Sequence, residues 1–471
     1  MARWCLGLLT VLCFFAARAN ADSFVTARGT QFVLDGQPFY VTGVNNHYLS
    51  WGTDVEVTRV LDDAVAMGAN VVRTFLQPVI GEPDGSSKTI WHSMGLMSSD
   101  LNTHGRYLLY WDPAKQAMAV HVQDVAQIDR LLSEADKRHL KLILVFMDFW
   151  AYTGGAYQMS SWYDLHTHQG SPYDTTNPAF FTDSRVLADY QRWVKFVVER
   201  INPITKIAYR DDPTIFAWEL INEAHAPIAL HRQWETQMSA YVKSLDRNHL
   251  VGAGDDYPVF DAPGTDFVTW HGYPKYLGIT ADQFNDKIAS NCRMALRVHK
   301  PVLLEEFGYA LSNRNPDQAG AYAGWLDAIR NDPNCSGWVV WRLVSRQENG
   351  EYPVDTYDQF DVHNDGGRNG LVCPSEGVGD PDIINAVGGG PGGGVGRDTN
   401  PVAVFAATGR SDGLAPYATG DGEAIPDMVL PAAAAGSDCR ISLHTVLAAP
   451  LRTRDILRYG GGADRNIDLP A

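Results

Sequence analysis

The chain has 471 residues, 45% hydrophobic and 20% charged, a balance that excludes both a disordered chain and a membrane bundle and leaves room for a large globular core. Its formal net charge of −17 repels nucleic acid and anionic lipid, so neither is expected as a partner. A neutral polymer suits such a surface better, and 13 Trp and 20 Tyr offer rings to stack on it, although most such rings serve a core.

Met1-Ala2-Arg3 precedes a mostly apolar run over 4–17 and then Ala19-Asn20-Ala21, the charged, apolar and small-residue zones of a secretory leader. The run is too short to span a bilayer comfortably. Cleavage is expected to leave a secreted chain, extracellular or periplasmic, that starts at Asp22. Because Arg3 and Arg18 leave with the leader, 36 basic residues then face 55 acidic ones, a net charge of −19. Cys5 and Cys13 leave too, so Cys292, Cys335, Cys373 and Cys439 remain for an oxidising compartment, with three pairings open to them. Cys292 with Cys335 is preferred, since both lie in segments leading into strands read below as neighbours. No paired-cysteine spacing and no His-Glu-x-x-His pattern occurs, so no metal site is expected.

A short hairpin is predicted over 24–34. Apolar, β-branched runs then recur at 39–45, 69–75, 140–148, 214–223, 249–254, 266–271, 301–306 and 337–341. Between them, 56–67, 122–137, 184–199, 233–246 and 281–298 carry the i, i+3, i+4 apolar spacing of helices packed on a sheet. Eight strands alternating with helices predict an α/β chain folded as a (β/α)8 TIM barrel, whose chemistry sits at the carboxyl ends of the strands. Asn45, Arg73, Asp148, Asn222, Glu223, His271 and Glu306 all fall at or near such ends. The loops over 77–115 and 149–182 are long enough to wall a cleft. A closing helix after Trp341 is hard to find: 361–370 reads as a loop and 382–387 as one or two turns at best. The expected division is a leader over 1–21, a catalytic barrel over 22–378, a Gly-rich linker over 379–396 and a low-complexity tail over 397–471. That tail contains no Trp, which disfavours a carbohydrate-binding module and favours disorder.

Two segments change abruptly from apolar to acidic. Residues 214–223 read Thr-Ile-Phe-Ala-Trp-Glu-Leu-Ile-Asn-Glu, and 301–308 read Pro-Val-Leu-Leu-Glu-Glu-Phe-Gly. A carboxylate at a buried strand end is costly unless paired or used. Two of them from different strands are what cleavage of a glycosidic bond demands, one to protonate the leaving oxygen and one opposite it.

The stretch over 209–223, ending Trp218-Glu219-Leu220-Ile221-Asn222-Glu223, resembles the acid/base region of glycoside hydrolase family 5, and of its endo-β-1,4-mannanases above all. Residues 300–308 resemble the nucleophile strand of that family, 266–274 its sixth strand, Val71-Val72-Arg73-Thr74 its second, and Ala151-Tyr152-Thr153-Gly154-Gly155 the mannanase loop. The similarity runs over about 25–365 in order and spacing. It implies Glu223 as acid/base and Glu306 as nucleophile of a retaining double displacement, with no cofactor. It also implies that Asn222 binds the sugar hydroxyl beside the anomeric carbon and that Arg73 keeps the nucleophile ionised, the rival for Arg73 being a structural pair with Glu219. Tyr273 would bond Glu306, His271 would line the same subsite, and Trp341 would lie under the cleaved sugar. Trp51, Trp150, Tyr152 and Trp162 could stack further sugars or pack down their loops. Glu305 is expected on the opposite face of its strand from Glu306 by the period of two. Repulsion from Glu306 is expected to raise the pKa of Glu223. Ala224-His225 stands where mannanases commonly carry Pro-Arg, so an arginine on the leaving-group side is missing. The implied activity is a monomeric endo-β-1,4-mannanase, with another family 5 activity (β-1,4-glucanase, β-mannosidase or transglycosylase) or a silent sugar-binding barrel as alternatives.

Overall fold

Eight short runs of β-branched and aromatic residues form one parallel sheet that curls into a barrel, in the strand order 5-4-3-2-1-8-7-6. The computed structural model describes residues 24–84, 105–165, 179–256, 262–309, 318–350, 352 and 362. The barrel strands are Val41–Asn45, Val71–Phe75, Lys141–Val145, Ile215–Glu219, Leu250–Gly252, Val268–Gly272, Val302–Phe307 and Cys335–Val340, each inside or within two residues of its predicted span. Nearly every strand residue is buried, as expected where helices cover the outside and side chains fill the inside. The seam between the fifth and sixth strands is stitched by the Asp266 N–H donating to the Val251 carbonyl at 2.8 Å and the Val251 N–H donating to the Asp266 carboxylate at 2.7 Å.

The inside of the barrel is layered by polarity. Val41, Val71, Ile143, Phe216, Leu250 and Leu303, at or near the strand starts, form one apolar cluster. The N-terminal hairpin, Thr26–Arg28 with Gln31–Leu34, plugs that end: Phe32 meets Phe216 and Phe267 edge-on at 5.0 and 5.5 Å. A larger cluster lies between the strands and the outer helices, which are Asp54–Ala66, Val122–Asp136, Ser184–Glu199, Ile228–Leu245, Ala281–Arg293 and Gln318–Asn331. With the strand starts plugged, charged side chains can collect only at the opposite, carboxyl end.

Helix starts follow local chemistry. Thr53 with Glu56, and Thr280 with Gln283, close reciprocal capping boxes, and Asp183 caps the helix from Ser184. The fourth-strand helix begins at Ile228, directly after Pro227 and five residues before its predicted start. The predicted helix over 281–298 divides into Ala281–Arg293 and Ala295–Val298. The long loops hold structure that periodicity did not reveal: an antiparallel hairpin, Leu109–Asp112 with Ala117–Val120, after the second strand, and a helix Gly155–Ser161 after the third. Gly154 is required where these loops touch, since a Cβ there would lie 1.9 Å from the Val79 carbonyl oxygen.

Cys292 and Cys335 are bridged. The bridge closes a loop of 43 residues that contains the whole seventh strand. Such a loop restricts the unfolded chain by about 4 kcal/mol. Cys335→Ala is therefore expected to lower the urea midpoint by a corresponding amount, and an unchanged midpoint with unchanged slope would refute this. The leader over 1–21, the linker over 379–396, the tail over 397–471, the segments 363–370 and 382–387, Cys373 and Cys439 lie outside the described residues. Among the described residues no helix is long and apolar enough to cross a membrane.

Candidate active site

Arg73, at the centre of the second strand, has no exposed surface and organises the polar end of the barrel. Its Nε donates to Glu219 Oε2 at 2.7 Å, one Nη1–H to Glu306 Oε1 at 2.6 Å and another to Asn45 Oδ1 at 3.1 Å, and Nη2 to Asn222 Oδ1 at 2.9 Å. Arg73 therefore contacts Glu306 and Glu219 alike, because a planar guanidinium can serve several acceptors at once.

Glu305 departs from expectation. It is fully buried with Oε2 3.4 Å from Arg73 Nε and 3.5 Å from His271 Nε2. The period of two fails here: Leu304 pairs with Trp270 while Glu306 pairs with His271, so Glu305 is an extra residue, a bulge that turns both glutamates inward. Three carboxylates therefore crowd one arginine. Burial pushes Glu219 well above the ordinary carboxylate range, and the charge of Glu305 adds to this against the pull of Arg73, so Glu219 holds the proton that Glu305 accepts. Otherwise Oε1 of each would be buried without a partner.

Glu306 and Glu223 meet above this layer. One oxygen of each and a ring nitrogen of His271 lie within 4.8 Å of one another. Tyr273 Oη donates to Glu306 Oε2 at 2.9 Å, Trp150 Nε1 donates to Glu223 Oε2 at 2.6 Å, and His271 Nδ1 lies 2.7 Å from Glu223 Oε1. Glu223 reaches this position through a left-handed backbone, φ 50°, held by its N–H donating to the Gly254 carbonyl at 2.8 Å. Gly254 must itself be glycine, because at its φ of 86° a Cβ would lie 2.3 Å from the Ile221 carbonyl oxygen.

The electrostatics run against the expected order. Burial pushes Glu223 up, but the hydrogen bond and charge of His271, together with the Trp150 N–H, outweigh it and hold Glu223 below the ordinary value. Burial raises Glu306, and the charge of Glu223 adds to this against His271 and Arg73. For His271, burial disfavours the charge, yet Glu306, Glu223 and Glu305 together raise its pKa well above that of a free imidazole. The imidazole of His271 between the two carboxylates reverses the direction that repulsion from Glu306 alone would give at Glu223.

Asn222 donates from Nδ2 to Asp148 Oδ1 at 3.0 Å, which aims its amide. Asp148 is buried, and burial with the charges of Glu223 and Glu306 pushes it up to about 8, so it is protonated at neutral pH. Trp341 is 9% exposed and lies beside Phe75 and His47 at 6.1 and 5.9 Å, with Tyr273 packed against the same patch. Trp51 is a correction: it is 1% exposed and edge-on to His47 at 5.6 Å, so it has no ring face to offer a ligand. Trp162 likewise packs down, its Nε1 donating to the Ile80 carbonyl at 3.1 Å. Where the Pro-Arg pair was missing, His225 stacks on Phe149 at 5.8 Å, meets Trp150 edge-on at 5.0 Å and pairs with Asp256 at 2.9 Å.

Comparison with known proteins places these residues in context. A family described as GH family 5 beta-mannosidase-like matches residues 22–324. Mannan endo-1,4-beta-mannosidase 7 of Arabidopsis thaliana is 30% identical over 370 residues, covering 69% of this chain and 78% of that protein. Mannan endo-1,4-beta-mannosidase A of Podospora anserina is 27% identical, covering 77% of this chain and 91% of that one. Among solved structures, the endo-1,4-beta-mannanase of Rhizomucor miehei aligns with a TM-score of 0.59 at 25% identity, over 72% of this chain and 94% of its own.

Proposed function

Since the chain belongs to glycoside hydrolase family 5 and is a glycoside hydrolase, we propose that it is a secreted, retaining endo-β-1,4-mannanase acting on mannan, glucomannan or galactomannan. The observation that carries this reading is the approach of a Glu223 oxygen and a Glu306 oxygen to within 4.8 Å, anchored on opposite sides by Trp150 and by Arg73 with Tyr273. Retention needs carboxyl groups roughly 5 to 5.5 Å apart, whereas inversion needs space for a water between them. The curated relatives named as mannan endo-1,4-beta-mannosidases support the substrate, and the Cys292–Cys335 bridge supports an oxidising compartment.

In this reading Glu306, bonded to Arg73 and Tyr273, attacks the anomeric carbon while Glu223 protonates the leaving oxygen. The proton on His271 Nδ1 reaches Glu223 Oε1 across 2.7 Å as attack consumes the charge of Glu306, which is the largest attraction holding it on the imidazole. Glu223 then takes a proton from water to release the covalent sugar. Asn222, aimed by Asp148 and Arg73, keeps a second Nδ2–H for the hydroxyl beside the anomeric carbon.

His271→Ala tests the proton store. With the imidazole present, its raised pKa keeps the proton in the site as pH rises. Without it, the proton rests on Glu223 alone, and the alkaline limb of kcat/KM is expected to move to lower pH. A limb that stays in place would remove His271 from the proton path.

Reducing-end release from galactomannan, glucomannan and carboxymethylcellulose in parallel tests the activity. Internal cleavage of the mannans with little release from carboxymethylcellulose is the expected result. Preferential release from carboxymethylcellulose would favour a glucanase, single mannose from chain ends a β-mannosidase, and no release from any polymer a silent binding barrel.

A further inference from the structure

A second cluster of ionisable side chains lies outside the catalytic pair. His231 and Glu235 stand one turn apart on the helix Ile228–Leu245, a spacing that puts them on one face, and Asp255 meets them from the end of the fifth strand. Their side chains are 0%, 1% and 3% exposed. One ligand atom from each lies within 4.8 Å of the others. His231 Nε2 is 3.1 Å from Glu235 Oε1 and 3.2 Å from Asp255 Oδ1.

These distances do not amount to hydrogen bonds. Both Glu235 oxygens and Asp255 Oδ1 are buried without a hydrogen-bond partner, and among the described residues no lysine or arginine pairs with either carboxylate. The catalytic cluster differs: there Arg73, Tyr273 and Trp150 supply donors to the glutamates. Buried carboxylate oxygens that no donor reaches are costly, and a cation seated among the three side chains would satisfy them together.

We propose that His231, Glu235 and Asp255 form a structural site for a zinc-class divalent cation. Ligand atoms about 2.0 to 2.2 Å from a tetrahedral zinc lie roughly 3.3 to 3.5 Å from one another, close to the separations from His231 Nε2. Imidazole with carboxylate suits zinc, with water completing the shell, while calcium would demand about six to eight oxygens. The cation ties the start of the helix to the fifth-strand end. The next residue, Asp256, pairs with His225 and accepts the His271 N–H on its carbonyl at 3.1 Å, so the site braces the wall beside Glu223. This departs from the sequence reading, which found no metal pattern because the third donor lies in another element.

The test uses the full chain stripped with dipicolinate and titrated calorimetrically with zinc chloride, alongside Tm. One zinc per chain and a Tm that rises with zinc are expected. Glu235→Gln should weaken binding by about tenfold or more while near-UV circular dichroism is kept. A wild-type chain that binds no zinc overturns the proposal. So does binding that survives both Glu235→Gln and Asp255→Asn but is lost in Glu306→Gln, since that puts the ion in the catalytic cluster. Should Asp255→Asn misfold, a cobalt-loaded wild-type chain whose visible bands persist unchanged in Glu235→Gln overturns it equally.

Discussion

Glu306→Ala is expected to lower turnover of β-1,4-mannan by on the order of 10⁵-fold or more, while binding of the polymer is retained. The loss is large because no neighbour can substitute. Glu305 is adjacent in sequence, but its Oε2 is taken up 3.4 Å from Arg73 Nε and 3.5 Å from His271 Nε2, one layer deeper. Removal also takes away the carboxylate to which Arg73 Nη1 and Tyr273 Oη donate, so a small anion in the vacated space can accept from both. Added azide should therefore restore turnover of an activated aryl mannoside, giving a glycosyl azide of inverted configuration. Two measurements decide the matter: steady-state turnover and the anomeric form of the azide product. Normal turnover, or a rescued product of retained configuration, would remove Glu306 from the nucleophile role.

Glu223→Ala is expected to reduce kcat/KM on polymer by roughly 10²- to 10⁴-fold. On an aryl glycoside with a good leaving group, kcat/KM should change far less, because departure of that group needs no proton. For the same substrate kcat should still fall, since Glu223 also activates the water that frees the covalent sugar; the intermediate then accumulates and KM drops with kcat. The variant leaves Trp150 Nε1 without its 2.6 Å acceptor and His271 Nδ1 without its 2.7 Å partner, so part of the effect comes through these neighbours. Equal losses of kcat/KM on the aryl glycoside and the polymer would withdraw the acid assignment.

Much of this protein was legible in one dimension. The alternation of β-branched runs with helical periodicity is a local property, and it determined the eight strands, most of the outer helices and the end at which polar residues gather. The abrupt polarity at 222–223 and 305–306 identified the acidic strand ends, and the position of the two cysteines before neighbouring strands anticipated their bridge.

What the sequence could not decide depended on register and on distance in space. The bulge that brings Glu305 inward arises from pairing between the sixth and seventh strands, and no property of residues 301–308 alone announces it. The burial of Trp51, 1% exposed and edge-on to His47, is a property of the folded loop that no local pattern announces. Proton placement in the site turns on His271 Nδ1 standing 2.7 Å from Glu223 and 3.6 Å from Glu306, so a single cation reverses a sign that repulsion between the two carboxylates alone had suggested. The meeting of His231 and Glu235 with Asp255 likewise joins a helix face to a strand end. Periodicity is set by each residue and its near neighbours, whereas electrostatic energy falls with separation in space, which only the closed barrel defines.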